Sequence, residues 1–274
     1  HIVLKNTIVI WIGKQHSTTY MQIKRNKNGF TICDFKIVEK YKYKEYTRND
    51  ESIRTYNVDG QKYPSVTTIL SATQSEEKRK ALCNWRKRVG EEHAKRITID
   101  AARRGTEMHL VLEKYCQGKP YFNITTQGNI SRLMAHTIVE NLGKLKEVWG
   151  SEVNLRYEDY CPSLYPNPKK MAWAGQTDVV GLYDDKPTII DFKQSNRLKK
   201  EEWIEDYYYQ IAAYSIAHKA HYGEIEQGLI AICTKGFEYQ SFIMDYNKLL
   251  EYENKWMEKA YEYYKNLSTS SPKT

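Results

Sequence analysis

Residues 174–192 contain two strand-like runs separated by a tight turn, and the charged side chains within them limit what this chain can be. Residues 174–183, Ala-Gly-Gln-Thr-Asp-Val-Val-Gly-Leu-Tyr, read as a strand that ends near Asp184-Asp185. Asp185-Lys186-Pro187 has the composition of a turn. Residues 188–192 are short and apolar, as a buried strand should be. Runs this close in sequence form a hairpin. Side chains alternate along a strand, so Asp191 and Lys193 share a face, and the hairpin brings Asp178 opposite them. Two carboxylates and one ammonium converge. Such a set can hold Mg²⁺ and serve attack on a phosphodiester. The same charges also read as an ion pair at a sheet edge, which contributes little by itself.

Flanking segments fit the same place. Residues 201–221 read as a helix with Trp203, Tyr207, Ile211, Tyr214 and Ala217 on its apolar stripe. Gln210 and Tyr214 are one turn apart and share a face. Packed over the strands, this helix would present Gln210 to a phosphate or a water. Spacing alone favours a solvated Gln210 and a core Tyr214. Residues 101–115 are strong helix formers, and His109 and Glu113, at i and i+4, share a face. A single histidine on a buried helix is more often a hydrogen-bonded core residue than a ligand.

The combination is more telling than its parts. Arg104-Gly-Thr-Glu-Met-His109 with Leu112-Glu113 is followed by Gly175-Gln-Thr-Asp178, Asp191-Phe-Lys193 and Gln210-Ile-Ala-Ala-Tyr214. This order resembles the RecB-type nucleases of the PD-(D/E)XK superfamily. Tyr63-Pro-Ser-Val-Thr-Thr-Ile-Leu70, followed by Leu82-Cys-Asn-Trp85, narrows the resemblance to the mitochondrial genome maintenance exonuclease family and its phage and bacterial relatives. It spans residues 60 to 268. It implies an α/β restriction-endonuclease-like core, a mixed sheet flanked by helices. A helical arch over the site and an N-terminal β-hairpin segment are additions to that core.

The resemblance also implies roles. Asp178 and Asp191 would bind Mg²⁺ or Mn²⁺, with His109 as a further ligand. Lys193 would orient the attacking water and offset phosphate charge. Gln210 would position the water or the lysine. Tyr214 would pack its helix, and Glu113 would support the His109 side. Carboxylate oxygens suit Mg²⁺ and Mn²⁺, and an imidazole tilts the preference towards Mn²⁺. The chain departs from the pattern after the lysine, where many relatives have Thr-Ser and this chain has Gln194-Ser195. Gln194 can still donate to a phosphate, and Ser195 can still reach a DNA backbone.

The implied substrate is single-stranded DNA with free ends, threaded through the arch. Ser65, Thr67 and Thr68 at a helix start, and Arg103, Arg104, Lys199 and Lys200, are candidates to line its path, with Ser65 and Arg104 nearest the matched motifs. Most lysines and arginines are simply solvated. A flap-cutting endonuclease on the same core and a non-catalytic DNA-binding recombination accessory protein are the alternatives. Circular DNA separates the first from an exonuclease. The intact Asp178, Asp191 and Lys193 set argues against the second.

Composition agrees with a polyanionic partner. The chain of 274 residues carries 42 Lys and Arg against 34 Asp and Glu, a net charge of +8, and phosphate neutralisation dominates nucleic-acid affinity. Its 23 Tyr and 6 Trp suit base stacking, although an AT-rich genome would give the same bias. Five scattered cysteines form no metal-binding pair and no disulfide framework. Only Cys233 follows the lysine, so no Fe–S cluster is expected. No run reaches the length of a membrane span. A phage or bacterial cytoplasm is the expected setting. A mitochondrial one stays open, although the start lacks an Arg-rich amphipathic helix. Protein partners are not legible.

Residues 1–62 are expected to be a β-rich appendage, 63–268 the nuclease domain, and 269–274 a frayed tail. The apolar run 2–12 is too short to span a bilayer, and Met21 is the expected natural start, with 1–20 an upstream remnant. Peptides from 2–14 in the mass spectrum of the native protein would overturn that. Hairpin strands are expected at 22–25, 30–37, 55–58 and 61–63. Helices are expected at 64–71, 75–89, 92–117, 129–148, 201–221 and 247–267, with a strand at 152–160 and two more near 226–234 and 238–244. In residues 129–148, Leu133, Ile138, Leu142 and Leu145 form the expected stripe.

Overall fold

A computed structural model describes residues 18–21, 35–119, 125–161 and 169–270. The expected strand at 22–25, the run 2–12 and the end of the tail lie outside them. In chain order the elements are β1 (Thr18–Met21), β2 (Phe35–Val38), β3 (Thr47–Asn49), β4 (Thr55–Val58), β5 (Gln61–Pro64), α1 (Val66–Ala72), α2 (Glu76–Val89), α3 (Glu91–Cys116), α4 (Thr126–Glu140), β6 (Leu145–Cys161), β7 (Lys169–Tyr183), β8 (Lys186–Ser195), a 3-10 turn (Glu201–Trp203), α5 (Glu205–His221), β9 (Gln227–Thr234), β10 (Tyr239–Met244) and α6 (Tyr246–Ser270).

Seven strands form one mixed sheet in the order β1-β2-β6-β7-β8-β9-β10. β2 runs parallel to β6 and β8 parallel to β9, while the remaining neighbours are antiparallel. Helices cover both faces. On one, Val180, Ile189, Ile230 and Ile232 pack with Ile211 and Ala212 of α5 and Trp256 of α6. On the other, Val179, Ile190, Phe192 and Leu229 pack with Met108 and Leu112 of α3 and Met134 and Ile138 of α4. β8 therefore alternates between two cores, which is why its apolar residues form a nearly continuous run.

The sheet explains two departures from the periodicity. Residues 145–148 open β6 instead of closing a helix. α4 stops at Glu140, where the Asn141 N–H bonds the carbonyls of Ile138 and Val139 and the chain turns through Gly143. The buried face of α4 is Met134, Ala135, Ile138 and Val139, and Leu133 is 51% exposed. Leu142 and Leu145 are buried, but outside the helix, so the leucine spacing there was not helical. Pro64 likewise ends β5, and α1 starts after Ser65, whose hydroxyl accepts from the Thr68 N–H.

β3, β4 and β5 form a second, three-stranded sheet. Its hairpin turns at Asp59 and Gly60, both with left-handed backbone (φ +50° and +85°), the geometry a two-residue hairpin needs. This sheet is fastened to β7. Ser65 bridges Ala174, and Tyr56, Val58 and Tyr63 pack on Ala172 and Ala174. The division expected at residues 62 and 63 falls inside β5, and β2 is a strand of the main sheet. β1 begins at Thr18, upstream of Met21, and pairs with β2. Among the described residues no helix is long and apolar enough to cross a membrane.

Candidate active site

The site forms where two strands part. The β7–β8 ladder runs from Tyr183↔Lys186 to Val179↔Ile190. Beyond that point β7 continues with β6, and β8 with β9. Asp178 and Asp191 are the next residues after the last rung. The Asp178 carboxylate takes over a backbone role there, its Oδ2 accepting from the Phe192 N–H at 2.5 Å. Backbone donors left unpaired in an interior are costly, so the fork itself calls for an acceptor at this position.

Lys193 follows Asp191 on the same face. Its Nζ donates to Asp191 Oδ1 at 2.6 Å and lies 5.2 Å from the centre of the Tyr207 ring on α5. Asp191 Oδ2 is 2.5 Å from that ammonium, yet it is buried without a hydrogen-bond partner. Both carboxylate oxygens of Asp191 are thus engaged by the one ammonium, Oδ1 through a hydrogen bond and Oδ2 through charge. α3 supplies the opposite wall. Met108 and Leu112 are buried in the core, which turns His109 and Glu113 towards the fork. His109 Nδ1 is 2.9 Å from Asp178 Oδ1. Glu113 accepts from Lys114 and Gln117 at 2.8 and 2.9 Å.

Glu152 on β6 is a member of the site that periodicity alone did not identify. The β6–β7 ladder passes from Val153↔Thr177 to Ser151↔Val179 and skips the Glu152/Asp178 position. Glu152 has left-handed backbone there (φ +55°), and the Gln176 side chain donates to its carbonyl at 3.1 Å. A non-glycine residue in that region costs energy and tends to occur at functional sites. The result is a cluster in which His109, Glu152 and Asp178 each offer a ligand atom within 4.8 Å of the others. The ligand set expected from the sequence had Asp191 in place of Glu152. In the structure Asp191 sits beside this cluster, on Lys193. The signal available in the sequence was only an acid on the strand neighbouring that of Asp178.

Electrostatics suit a cation. Burial first, and then the charge of Asp178, push the Glu152 carboxyl up to about 8. Burial opposes the charge on Asp178, but His109, Lys193 and the Phe192 N–H outweigh it and hold its pKa below the usual range. Burial likewise opposes protonation of His109, and Asp178 outweighs it and raises its pKa. Burial raises Asp191, while the charges of Asp191 and Asp178 overcome burial at Lys193 and keep it protonated. A nitrogen and carboxylate oxygens gathered at one point form the donor set that a divalent ion of the Mg²⁺ or Mn²⁺ type takes.

These groups line a cleft of about 590 Å³, whose further walls are Arg48, Arg54 and Tyr56 of the small sheet, Ser65 and Thr67, and Gln210 and Tyr214. Gln210 and Tyr214 thus both reach the cleft. Tyr214 packs on Gly175 so closely that a Cβ there would lie 2.6 Å from its ring. Burial drives the Tyr214 hydroxyl well above its ordinary pKa, so it stays protonated. Ser65 is buried, its hydroxyl 2.9 Å from those of Thr67 and Thr68. Arg104, Gln194 and Ser195 do not line the cleft. Arg104 Nη2 donates to Asn196 at 2.5 Å and to Gln194 at 3.4 Å. The Ser195 hydroxyl is buried and donates to the Arg197 carbonyl at 2.6 Å. A DNA contact from Ser195 does not fit that arrangement, because the burial needed to close the end of β8 spends its donor.

No protein-family model matches the chain, and no curated protein matches it. Among solved structures it is similar to that of SSO0001, with 16% identity and a TM-score of 0.38 over 77% of this chain and 78% of the other. A candidate exonuclease from Eubacterium rectale has 14% identity and a TM-score of 0.39 over 60% and 68%. Rai1 from Scheffersomyces stipitis has 12% identity and a TM-score of 0.27 over 57% and 47%.

Proposed function

We propose that this chain is a metal-dependent nuclease of the RecB type that hydrolyses phosphodiester bonds in single-stranded DNA from free ends. The observation that carries this reading is the His109, Glu152 and Asp178 cluster beside the Asp191–Lys193 pair in one cleft. His109, Glu152 and Asp178 would hold Mg²⁺ or Mn²⁺, with Asp191 beside them on Lys193. Bound there, the ion supplies an activated water and takes up charge on the phosphate.

The remaining roles belong to the chain. Lys193, kept protonated by Asp191, offers an ammonium to a non-bridging oxygen of the scissile phosphate. Charge held in place before the substrate arrives costs no reorganisation during the reaction. Gln210 orients the attacking water or the phosphate from α5. Tyr214 fixes the distance between α5 and β7 through its contact with Gly175. Walls from α3, α5, the small sheet and the start of α1 surround the cleft, which suits one strand better than a duplex.

End-labelled linear and circular single-stranded DNA, each with Mg²⁺ or Mn²⁺, test the reading. Shortening of linear DNA with intact circles is expected. Cut circles would keep the nuclease but make it an endonuclease. Binding without cleavage in either metal would make the chain a binding module.

A further inference from the structure

The small sheet contributes two arginines to the cleft. Arg48, in β3, and Arg54, just before β4, both line it. They are joined through Asp50. Arg48 Nε donates to Asp50 Oδ2 at 2.8 Å, and its Nη2 lies 2.5 Å from the same oxygen. Arg54 Nε donates to Asp50 Oδ1 at 2.7 Å. Asp50 itself lies behind them, facing an outer groove with Ser52 and Ile53, and does not line the cleft. Arg54 and Thr67 belong to both spaces, so the two meet at this rim.

The arrangement is built. The Arg54 carbonyl accepts from the Ser65 N–H at 3.1 Å and from the Thr68 hydroxyl at 2.7 Å, and Ser65 in turn bridges β7 at Ala174. One carboxylate engages Arg48 through Nε and Nη2 and Arg54 through Nε, and both arginines line the cleft. The net charge of the trio is positive. The cleft also holds Glu113, Glu152, Asp178 and Asp191. Lys193 is committed to Asp191 and His109 to Asp178. Among the described residues, Arg48 and Arg54 are the cleft's cations not engaged by its carboxylates. An acidic cleft that admits a polyanion needs such charges to offset its carboxylates. Arginine's planar fork matches phosphate oxygens in pairs.

We infer that Arg48 and Arg54, oriented from behind by Asp50, form a phosphate-binding subsite. It would hold the substrate strand at a phosphate other than the one cut. This rests on the nuclease reading given above. The ligand is a phosphate of the strand, either an internal diester or a terminal monoester.

The test is binding of a fluorescein-labelled oligothymidylate by the full chain with Ca²⁺ present, across a range of salt. Wild type is compared with Arg48→Gln, Arg54→Gln and Asp50→Asn, after their folding is checked by thermal melting. Each arginine variant is expected to bind about tenfold more weakly and to lower the salt slope by roughly 0.7. KM should rise while kcat stays near wild type. Asp50→Asn should bind as tightly as wild type or more tightly, because both arginines remain and the opposing charge is gone. A merely structural ion-pair network would make all three variants alike, and that result overturns the inference. So would arginine variants with wild-type affinity and slope. If the 5′-phosphorylated oligonucleotide binds more tightly than its 5′-hydroxyl form and the arginine variants lose that preference, the ligand is the terminal phosphate. Equal weakening on both assigns an internal diester. Failure of the wild type to bind any oligonucleotide would remove the nuclease reading as well, whereas failure confined to the variants removes the subsite alone.

Discussion

Asp178 joins His109 to the backbone of β8: one carboxylate oxygen lies 2.9 Å from His109 Nδ1, and the other accepts the Phe192 N–H at 2.5 Å. A helix and a strand are thus registered by one side chain, at the point where β7 and β8 separate. The same carboxylate lies within ligand range of Glu152.

Crowding of acids around His109 gives opposite signs for two measurements on one variant. Glu152→Gln should weaken Mn²⁺ binding by about tenfold or more, since a charged ligand is lost. It should also raise the melting temperature of the metal-free protein, because a half-buried carboxylate beside Asp178 and Glu113 is removed. Calorimetric titration with Mn²⁺ and a melt in chelator check both halves. A drop in both quantities would mean that Glu152 is structural.

Gly175 faces the Tyr214 ring with no room for a methyl group, the built Cβ lying 2.6 Å from ring carbon Cε1. Gly175→Ala should cost about 1–3 kcal/mol by overpacking and should lower cleavage by displacing Gln210 along with α5. Adding Tyr214→Leu should recover part of the stability without restoring the activity. Denaturant melts of both variants separate these effects.

His218 anchors the far side of the fold. It is fully buried, with Nε2 3.1 Å from the Tyr43 hydroxyl and Nδ1 2.7 Å from the Gly223 carbonyl. Burial lowers its pKa to about 4. The unfolded chain takes up this proton near pH 6.5 and the folded chain does not. The stabilising contribution is therefore complete above pH 6.5 and is lost as pH falls towards 4, on the order of 3 kcal/mol in all. His218→Gln should be less stable at pH 7 and should show a flatter stability profile between pH 6.5 and 4. Urea melts over that range provide the test, and a parallel profile would contradict it.

Much of the site was legible because it is local. Asp191 and Lys193 are two apart on a strand, His109 and Glu113 four apart on a helix, and the turn at Asp184-Asp185 closes the hairpin between the two acids. Alternation and helical spacing are properties of the chain itself. Glu152 was not legible as a ligand, because it reaches the cluster through a left-handed residue in β6 that skips a rung. Arg48 and Arg54 were not legible either, since their place depends on the small sheet docking on Ala172 and Ala174. The helix expected through residue 148 failed for a related reason. Leu142 and Leu145 are buried by the turn after α4 and the start of β6, and spacing cannot distinguish that from a helix face.

The most direct test of the central claim is Mn²⁺-dependent cleavage of end-labelled single-stranded DNA by the wild type, Glu152→Gln and Lys193→Ala. The account predicts that the wild type shortens the strand, and that each variant loses about a hundredfold or more in rate while Lys193→Ala still binds Mn²⁺. Cleavage by Glu152→Gln at the wild-type rate would contradict it.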